Sequence, residues 1–172
     1  LWLGMRGTGL RIGADKWYKN NSKDPNSLSN NQVFSIYRDR KGRMWLGTFG
    51  GGLNLAVKTK DGYQFRHFLQ DNYGEKRIRV IEEDKNGRMW VGTNNGIYIF
   101  HPDSLIASPE NYIIYNHVNG TFPNNEIRCL MNDHEGNMWI GTAGAGFAVC
   151  HPEGDYQHLT FNCYDIKDGL SN

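Results

Sequence analysis

Asp84-Lys85-Asn86-Gly87-Arg88-Met89-Trp90-Val91-Gly92-Thr93 is the stretch that decides the fold of this chain, because the chain repeats it. Two further copies stand at residues 39–48 and 133–142, and Leu1-Trp2-Leu3-Gly4 matches the end of a fourth. The four aligned tryptophans are 43, 45 and 49 residues apart. A period of about 45 residues with strand-like content is typical of β-propeller blades. We therefore predict an all-β fold built from four-stranded antiparallel propeller blades.

Each full copy contains four short strand signals, which we label a to d, separated by turn residues. The predicted strands are 32–38, 43–48, 53–58 and 64–69 in the first full copy, 77–82, 88–93, 97–101 and 112–117 in the second, 126–132, 137–142, 147–151 and 158–164 in the third, and 2–5, 10–13 and 16–19 in the opening copy, which lacks strand a. This amounts to about 3.75 blades in one propeller segment, 1–172. We place the blades at approximately 1–27, 28–73, 74–120 and 121–172. Because a propeller ring must close, we expect part of a larger propeller or a piece that pairs with another chain.

Four positions in each full copy have a structural purpose. The Asp side chain can accept backbone N–H bonds across the turn and the next Gly supplies a positive φ, which gives a tight a–b hairpin with a bulge. The Trp on strand b can fill the space between neighbouring blades, and the Gly after it lets another strand or ring approach closely. The positions are Asp39, Gly42, Trp45 and Gly47, then Asp84, Gly87, Trp90 and Gly92, then Asp133, Gly136, Trp139 and Gly141.

Composition limits the possible functions. The chain has 19 basic and 18 acidic side chains, and this balance argues against a nucleic-acid partner, which needs a strongly basic face. The odd count of three cysteines without CxxC spacing argues against a disulfide framework or a zinc site. We predict that Cys129 and Cys150, which lie in apolar strands, are buried free thiols. We expect no metal, no cofactor and no catalytic residue in this chain.

Candidate ligand contacts lie on strand a and in the loops of one rim. Arg79 and Arg128 hold the same place in strand a, which lines the central channel of a propeller, so they could meet an anionic sugar or form inter-blade ion pairs. Carbohydrate sites combine stacking rings with amide and charged groups. Loop residues of these types, each of which could also be an ordinary loop residue, are Phe49, Tyr73, Asn94, Asn95, Asn125 and Glu126. We interpret Arg43, Arg88 and Asn137 on strand b as surface residues.

The copies resemble the two-component regulator propeller repeat. In the first full copy the resemblance rests on Asn31-Gln32-Val33, Asp39, Gly42, Trp45-Leu46-Gly47-Thr48 and Gly51-Gly52-Leu53, and the other copies match at equivalent positions. Members of this family are periplasmic sensor regions of hybrid two-component systems in Bacteroides-type bacteria. Two seven-bladed propellers precede an immunoglobulin-like domain, a membrane span, a histidine kinase and a response regulator in that family. The resemblance implies a fragment of a seven-bladed propeller in the periplasmic part of an inner-membrane sensor.

The resemblance further implies that the parent protein senses oligosaccharides and regulates glycan-utilisation genes. Implied partners are an oligosaccharide or a periplasmic protein, the remaining blades of the parent chain, and a second copy in a sensor dimer. The segment would not itself be an enzyme, because the kinase would lie elsewhere in the parent. Two alternatives stay open: a lyase or glycosidase of the streptogramin-lyase type, which needs a His or acid pair with perturbed pKa, and a structural protein-binding scaffold.

Overall fold

The computed structural model of the chain describes residues 1–70, 76–119, 122 and 124–170. Its strands form one three-stranded and three four-stranded sheets, and within each sheet the strands follow chain order. The strands are β1 (Trp2–Met5), β2 (Gly9–Ile12) and β3 (Lys16–Tyr18), then β4 (Val33–Arg38), β5 (Met44–Thr48), β6 (Leu53–Thr59) and β7 (Gly62–Phe68), then β8 (Ile78–Glu83), β9 (Met89–Thr93), β10 (Gly96–Phe100) and β11 (Ile113–Tyr115), and finally β12 (Ile127–Asn132), β13 (Met138–Thr142), β14 (Phe147–Cys150) and β15 (Asn162–Tyr164). The predicted all-β fold of antiparallel propeller blades is confirmed.

The chain divides into two compact units, Leu1–Arg79 and Val80–Asn172, with the boundary inside β8. In the first unit the core includes Leu10, Leu28, Val33, Leu46 and Phe65. The core of the second unit is larger and is centred on Trp90, with the buried side chains of β10, β12, β13 and β14 around it. The predicted blade boundaries and the number of blades in a complete ring stay predictions.

The repeated Asp and Trp are joined by a hydrogen bond in every full copy. One carboxylate oxygen accepts the backbone N–H groups two and four residues later, at 2.8–3.0 Å. The other oxygen accepts the indole Nε1–H of the Trp on strand b, at 2.9 Å in the first copy and 2.8 Å in the other two. The following Gly has φ of 79°, 77° and 88° in the three copies, as predicted. The Asp thus fixes both the turn and the ring, and the sequence predicted only the turn.

Hydrogen bonding outweighs burial at the Asp of the first copy. Burial of Asp39 is the largest single influence on its pKa and raises it, but the hydrogen bonds from the Trp45 indole and from the Arg43 side chain and backbone together outweigh burial, and the net shift is downward. Hydrogen bonds from Trp139 and Asn137 likewise hold the pKa of Asp133 well below its usual range. Both carboxylates are therefore held in the ionised, hydrogen-bond-accepting form.

The Gly two residues after the Trp makes room for the next strand a, and its φ is not positive. A Cβ built on Gly4 would lie 2.8 Å from Val33 Cγ1, and one on Gly92 would lie 2.8 Å from Ile127 Cγ2. A Cβ on Gly47 would lie closer still to Ile78 Cγ2. The first residue of each strand a therefore packs on the glycine of the preceding strand b, which confirms the predicted close approach.

The last sheet differs from the others. Trp45 and Trp90 are fully buried, whereas 36% of Trp139 is exposed. Cys150 is buried, and burial raises the pKa of its thiol to about 12. The prediction that Cys129 is buried is wrong, because its Sγ lies beside Gly141 on the face of β12 and β13 that a following strand a covers in the earlier copies.

Some predicted boundaries are also wrong. The bulge in the a–b pairs lies at the end away from the turn, between Val33 and Ser35 and between Ile127 and Cys129. Predicted strand 158–164 shortens to Asn162–Tyr164, and predicted strand 112–117 shortens to Ile113–Tyr115. A short helix, α1 (Pro102–Ala107), was not predicted; its N-cap His101 accepts the Asp103 N–H, at 3.3 Å. In the described part of the chain, no helix has the length and apolar content needed to cross a membrane.

Candidate ligand-binding site

Two phenylalanine rings lie in contact at one end of the first unit. Phe34 is on β4, and Phe49 directly follows β5. The Phe49 N–H donates to the Gln32 carbonyl, at 2.9 Å, and Phe49 forms an isolated antiparallel bridge with Arg77. These backbone contacts place the two rings 4.9 Å apart in a stacked arrangement, with 26° between their planes.

Three arginines cover the two rings. The guanidinium carbon of Arg6 lies 4.8 Å from the centre of the Phe34 ring, and that of Arg77 lies 4.6 Å from Phe49. Arg79 contacts both rings, at 5.6 Å from Phe34 and 4.9 Å from Phe49. We call these five residues the arginine–phenylalanine cluster. The ring faces stabilise the cations.

The cluster brings together two residues that the sequence predicted and three that it did not. Phe49 and Arg79 were predicted to contact ligand. Phe34 holds the place in strand a that Arg79 holds one copy later, and Arg6 holds the first loop position, as Phe49 does. Arg77 holds the place directly before strand a that Glu126 holds one copy later. This shared repeat position is the signal that could have identified Phe34, Arg6 and Arg77.

The cluster can recognise oxygen-rich or anionic groups. Each guanidinium offers a planar set of donors that suits carboxylate and sulfate oxygens. Arg6 and Arg77 are exposed, while Phe34, Phe49 and Arg79 are partly buried. The stacked rings fix the arginines in place, so the cluster is organised before any ligand arrives.

The other predicted contacts form a separate group in the second unit. Arg128 and Glu126 make an ion pair, at 3.1 Å, with 49% and 30% of their side chains exposed. Asn95 is exposed, and its N–H donates to the Thr93 hydroxyl, at 2.9 Å. Asn94 lies between Thr93 and Asn95 and is partly buried. Ligand binding by this group stays a prediction, and Tyr73 lies outside the described residues.

Asn125 already has a structural task. Its side-chain oxygen accepts the His117 N–H, at 2.5 Å, and its carbonyl accepts the Gly96 N–H, at 2.7 Å. Asn31, two copies earlier, makes the same pair of contacts: its side chain accepts the Asn20 N–H and its carbonyl accepts the Gly9 N–H. Because both copies use this residue to join strand a to the preceding sheet, we give Asn125 less weight as a ligand contact.

Two of the three residues that sequence analysis placed on the surface of strand b bond to the Asp of the turn. Arg43 Nε donates to Asp39, at 2.6 Å, and Asn137 Nδ2 donates to Asp133, at 2.8 Å. Arg88 lies over the ring of Tyr156, at 4.7 Å. All three are partly exposed, so they lie at the surface as predicted, but each also contacts a neighbouring side chain. No group of three or more His, Cys, Asp or Glu within the described ranges is arranged to hold a metal.

Comparison with known proteins identifies the repeats. Residues 27–50, 72–95 and 121–144 match the family model of the two component regulator propeller. Each match runs from just before strand a to just after strand b, so it contains the Asp turn and the Trp-Xaa-Gly-Thr sequence. Among curated proteins, none matches the chain.

Solved structures of bacterial sensors have the same fold. The extracellular domain of a proposed hybrid two component system from B. thetaiotaomicron, BT3049, is 24% identical with a TM-score of 0.76, over 99% of this chain and 21% of that one. The extracellular domain of a second proposed hybrid two component system from that organism, BT4673, is 27% identical with a TM-score of 0.70, over 92% of this chain and 23% of that one. This chain spans less than a quarter of the length of either structure. The three matched segments are repeats of the two-component regulator propeller family.

Proposed function

We propose that this chain is a ligand-sensing segment of the extracytoplasmic region of a hybrid two-component sensor. The repeats belong to the family of such regulators, and the similar structures are extracellular domains of two component systems. In this proposal the ligand is an oligosaccharide, the parent is an inner-membrane histidine kinase, and the output is the expression of glycan-utilisation genes. The remaining blades of the parent and a second sensor copy are its structural partners.

The arginine–phenylalanine cluster is the observation that supports ligand binding. It gathers three guanidinium groups and two rings from the starts of two strands a, β4 and β8, and from two b–c loops. The loops and strand ends of a propeller carry specific contacts while the blades repeat. Oxygen-rich ligands suit such a surface because guanidinium edges donate hydrogen bonds in fixed directions.

A ligand would act by population shift. When a sensor exchanges between two arrangements, ligand raises the population of the arrangement that binds it more tightly. The ligand cannot shift this equilibrium by more than the ratio of its affinities for the two arrangements. The cluster joins five places in the chain: the residue after β1, one residue of β4, the residue after β5, the residue before β8 and one residue of β8. A ligand bound across it would therefore favour one packing of these strands over another.

The carboxylates with shifted pKa support a non-catalytic role. A general acid needs a pKa raised toward neutrality. The pKa values of Asp39 and Asp133 are lowered by the hydrogen bonds that fix the turn, and that of Asp155 is lowered by His158. None of these three carboxylates is adjusted for proton transfer.

Isothermal titration calorimetry with a panel of oligosaccharides tests the proposal, on the longest form of the protein that its gene encodes. We expect saturable binding without turnover. Affinity should fall about tenfold or more in Phe49→Ala, since burying a Phe side chain is worth about 1.5–3 kcal/mol. A similar fall is expected in Arg77→Ala, since it removes charge-assisted hydrogen bonds to the ligand. Arg66→Ala is the matched control, because Arg66 also lies over a phenylalanine, Phe68, at 5.2 Å, outside the cluster.

Two results would count against the proposal. Unchanged affinity in folded Phe49→Ala and Arg77→Ala proteins would remove the cluster from the site. Release of a cleaved product during the titration, followed by chromatography, would favour the lyase or glycosidase alternative.

A further inference from the structure

A cavity of about 280 Å³ lies in the second unit and shares no residue with the arginine–phenylalanine cluster. Its walls come from the start of β9, the end of β10, α1, the beginning of β11 and the loop before β15. The polar side chains that line it are Arg88, His101, Ser104, Asn111, Tyr112 and Gln157. Its volume is close to the lower end of the range of small-molecule sites, about 300–1,000 Å³, so it has room for about one sugar ring.

The orientation of Arg88 distinguishes the second copy from the first. At the same repeat position Arg43 is held by Asp39, and their side chains are 23% and 1% exposed. In the second copy the Tyr156 hydroxyl donates to Asp84 Oδ2, at 2.5 Å, and so occupies the oxygen equivalent to the one that Arg43 uses. The guanidinium of Arg88 lies over the Tyr156 ring instead and lines the cavity.

The segment that carries Gln157 is firmly anchored. The Tyr156 hydroxyl also accepts from Asn86 Nδ2, at 2.9 Å, and the Tyr156 carbonyl accepts the Tyr115 hydroxyl, at 2.9 Å. The Tyr115 hydroxyl in turn accepts the Leu159 N–H, at 3.0 Å. These bonds hold both sides of Gln157, so this wall of the cavity is formed before ligand binds.

The opposite wall offers a ring and further hydrogen-bonding groups. Tyr112 is 37% exposed and packs on Tyr98, with ring centres 5.1 Å apart. His101 Nδ1 is occupied by the Asp103 N–H, which leaves Nε2 of that ring for other contacts. Ser104 and Asn111 add a hydroxyl and an amide. One cation, several neutral donors and acceptors and one ring suit a polyhydroxylated molecule that carries a single negative charge.

We propose that this cavity binds an acidic sugar unit, with its carboxylate on Arg88, its hydroxyls on the amide and hydroxyl side chains, and one face against Tyr112. The site is independent of the arginine–phenylalanine cluster because the two share no residue. A neutral sugar would leave the Arg88 guanidinium without its anionic partner, so the cavity discriminates by charge.

Titration of the protein with D-glucuronic acid and with D-glucose, followed by ligand-observed NMR, tests this proposal on the longest form of the chain. The two probes differ only at the carboxylate carbon. We expect the acid to bind about tenfold more tightly than glucose, and Arg88→Gln to abolish that preference. Arg43→Gln is the matched control, because it removes the same side chain from the same repeat position without touching the cavity.

Equal affinity for the two sugars, or a preference that survives in folded Arg88→Gln, would overturn the proposal. The proposal would also be overturned if Arg43→Gln lost the preference for the acid as fully as Arg88→Gln does. If Arg88→Gln does not give a native circular dichroism spectrum, Asn111→Ala is the second variant, because the Asn111 side chain is exposed at the cavity. This substitution must lower the affinity for D-glucuronic acid at least threefold. None of these results bears on the oligosaccharide titration of Phe49→Ala, which tests the arginine–phenylalanine cluster. Either proposal can therefore be refuted without refuting the other.

Discussion

Replacement of Trp90 measures how much the repeated Asp–Trp pair contributes to stability. The side chain is fully buried, with Tyr156 and Phe161 each at 6.4 Å between ring centres, and its Nε1–H donates to Asp84 Oδ2, at 2.8 Å. Trp90→Ala removes a large buried ring, and we expect a loss of about 3–5 kcal/mol in the free energy of unfolding.

The carboxylate itself does not become an unpaired buried charge in that variant. Asp84 keeps the Tyr156 hydroxyl and two backbone N–H groups. The expected loss is therefore mainly that of ring packing. Trp90→Phe keeps most of the ring volume and removes the indole donor, so it should cost about 1.5–3 kcal/mol, the range for a hydrogen bond to a charged group.

Urea denaturation followed by far-UV circular dichroism gives both values, because the signal comes from the sheets and not from the substituted ring. Hydrogen exchange of the β9 amides measures the free energy of local opening around the substituted residue. A local measurement is useful here because each unit of a repeat array contacts only its neighbours. A loss below about 1 kcal/mol in Trp90→Ala would show that the ring is not part of the core. Equal losses in the two variants would show that the hydrogen bond, not the ring, carries the effect.

Two further predictions concern the glycine after the Trp and the charge on the Asp. Gly92→Ala should cost about 1–3 kcal/mol in urea denaturation, because the added Cβ would stand 2.8 Å from Ile127 Cγ2; a neutral effect would contradict the packing of strand a on this glycine. The pKa of Asp39 is lowered in the folded state, so the stability that its charge contributes is present above pH of about 4 and is lost as the pH falls through the folded value. The stability difference between wild type and Asp39→Asn should therefore shrink below about pH 4, and a constant difference from pH 7 to pH 3 would refute this assignment.

The repeat made the fold predictable because it aligns four copies of one local pattern. Alternation of apolar residues, the Asp turn and the glycines gave every strand of the described ranges, with errors at the ends. The largest error is at residues 158–161, where the Leu159 N–H bonds to the Tyr115 hydroxyl instead of joining a sheet ladder. Such a contact connects residues 44 apart in the chain, and no local pattern encodes it.

The candidate sites were less predictable because function follows the differences between copies. The position after the turn glycine is Arg43, Arg88 or Asn137, and by residue type the two arginines are equivalent. The structure separates them through Tyr156, which takes the Asp84 oxygen and leaves Arg88 beside a cavity. Tyr156 lies 72 residues from Asp84 in the chain. The repeat therefore reveals which positions build the blades. It does not reveal that Arg88 is available to a ligand, because Tyr156 replaces it in the contact that Arg43 and Asn137 make with the turn Asp.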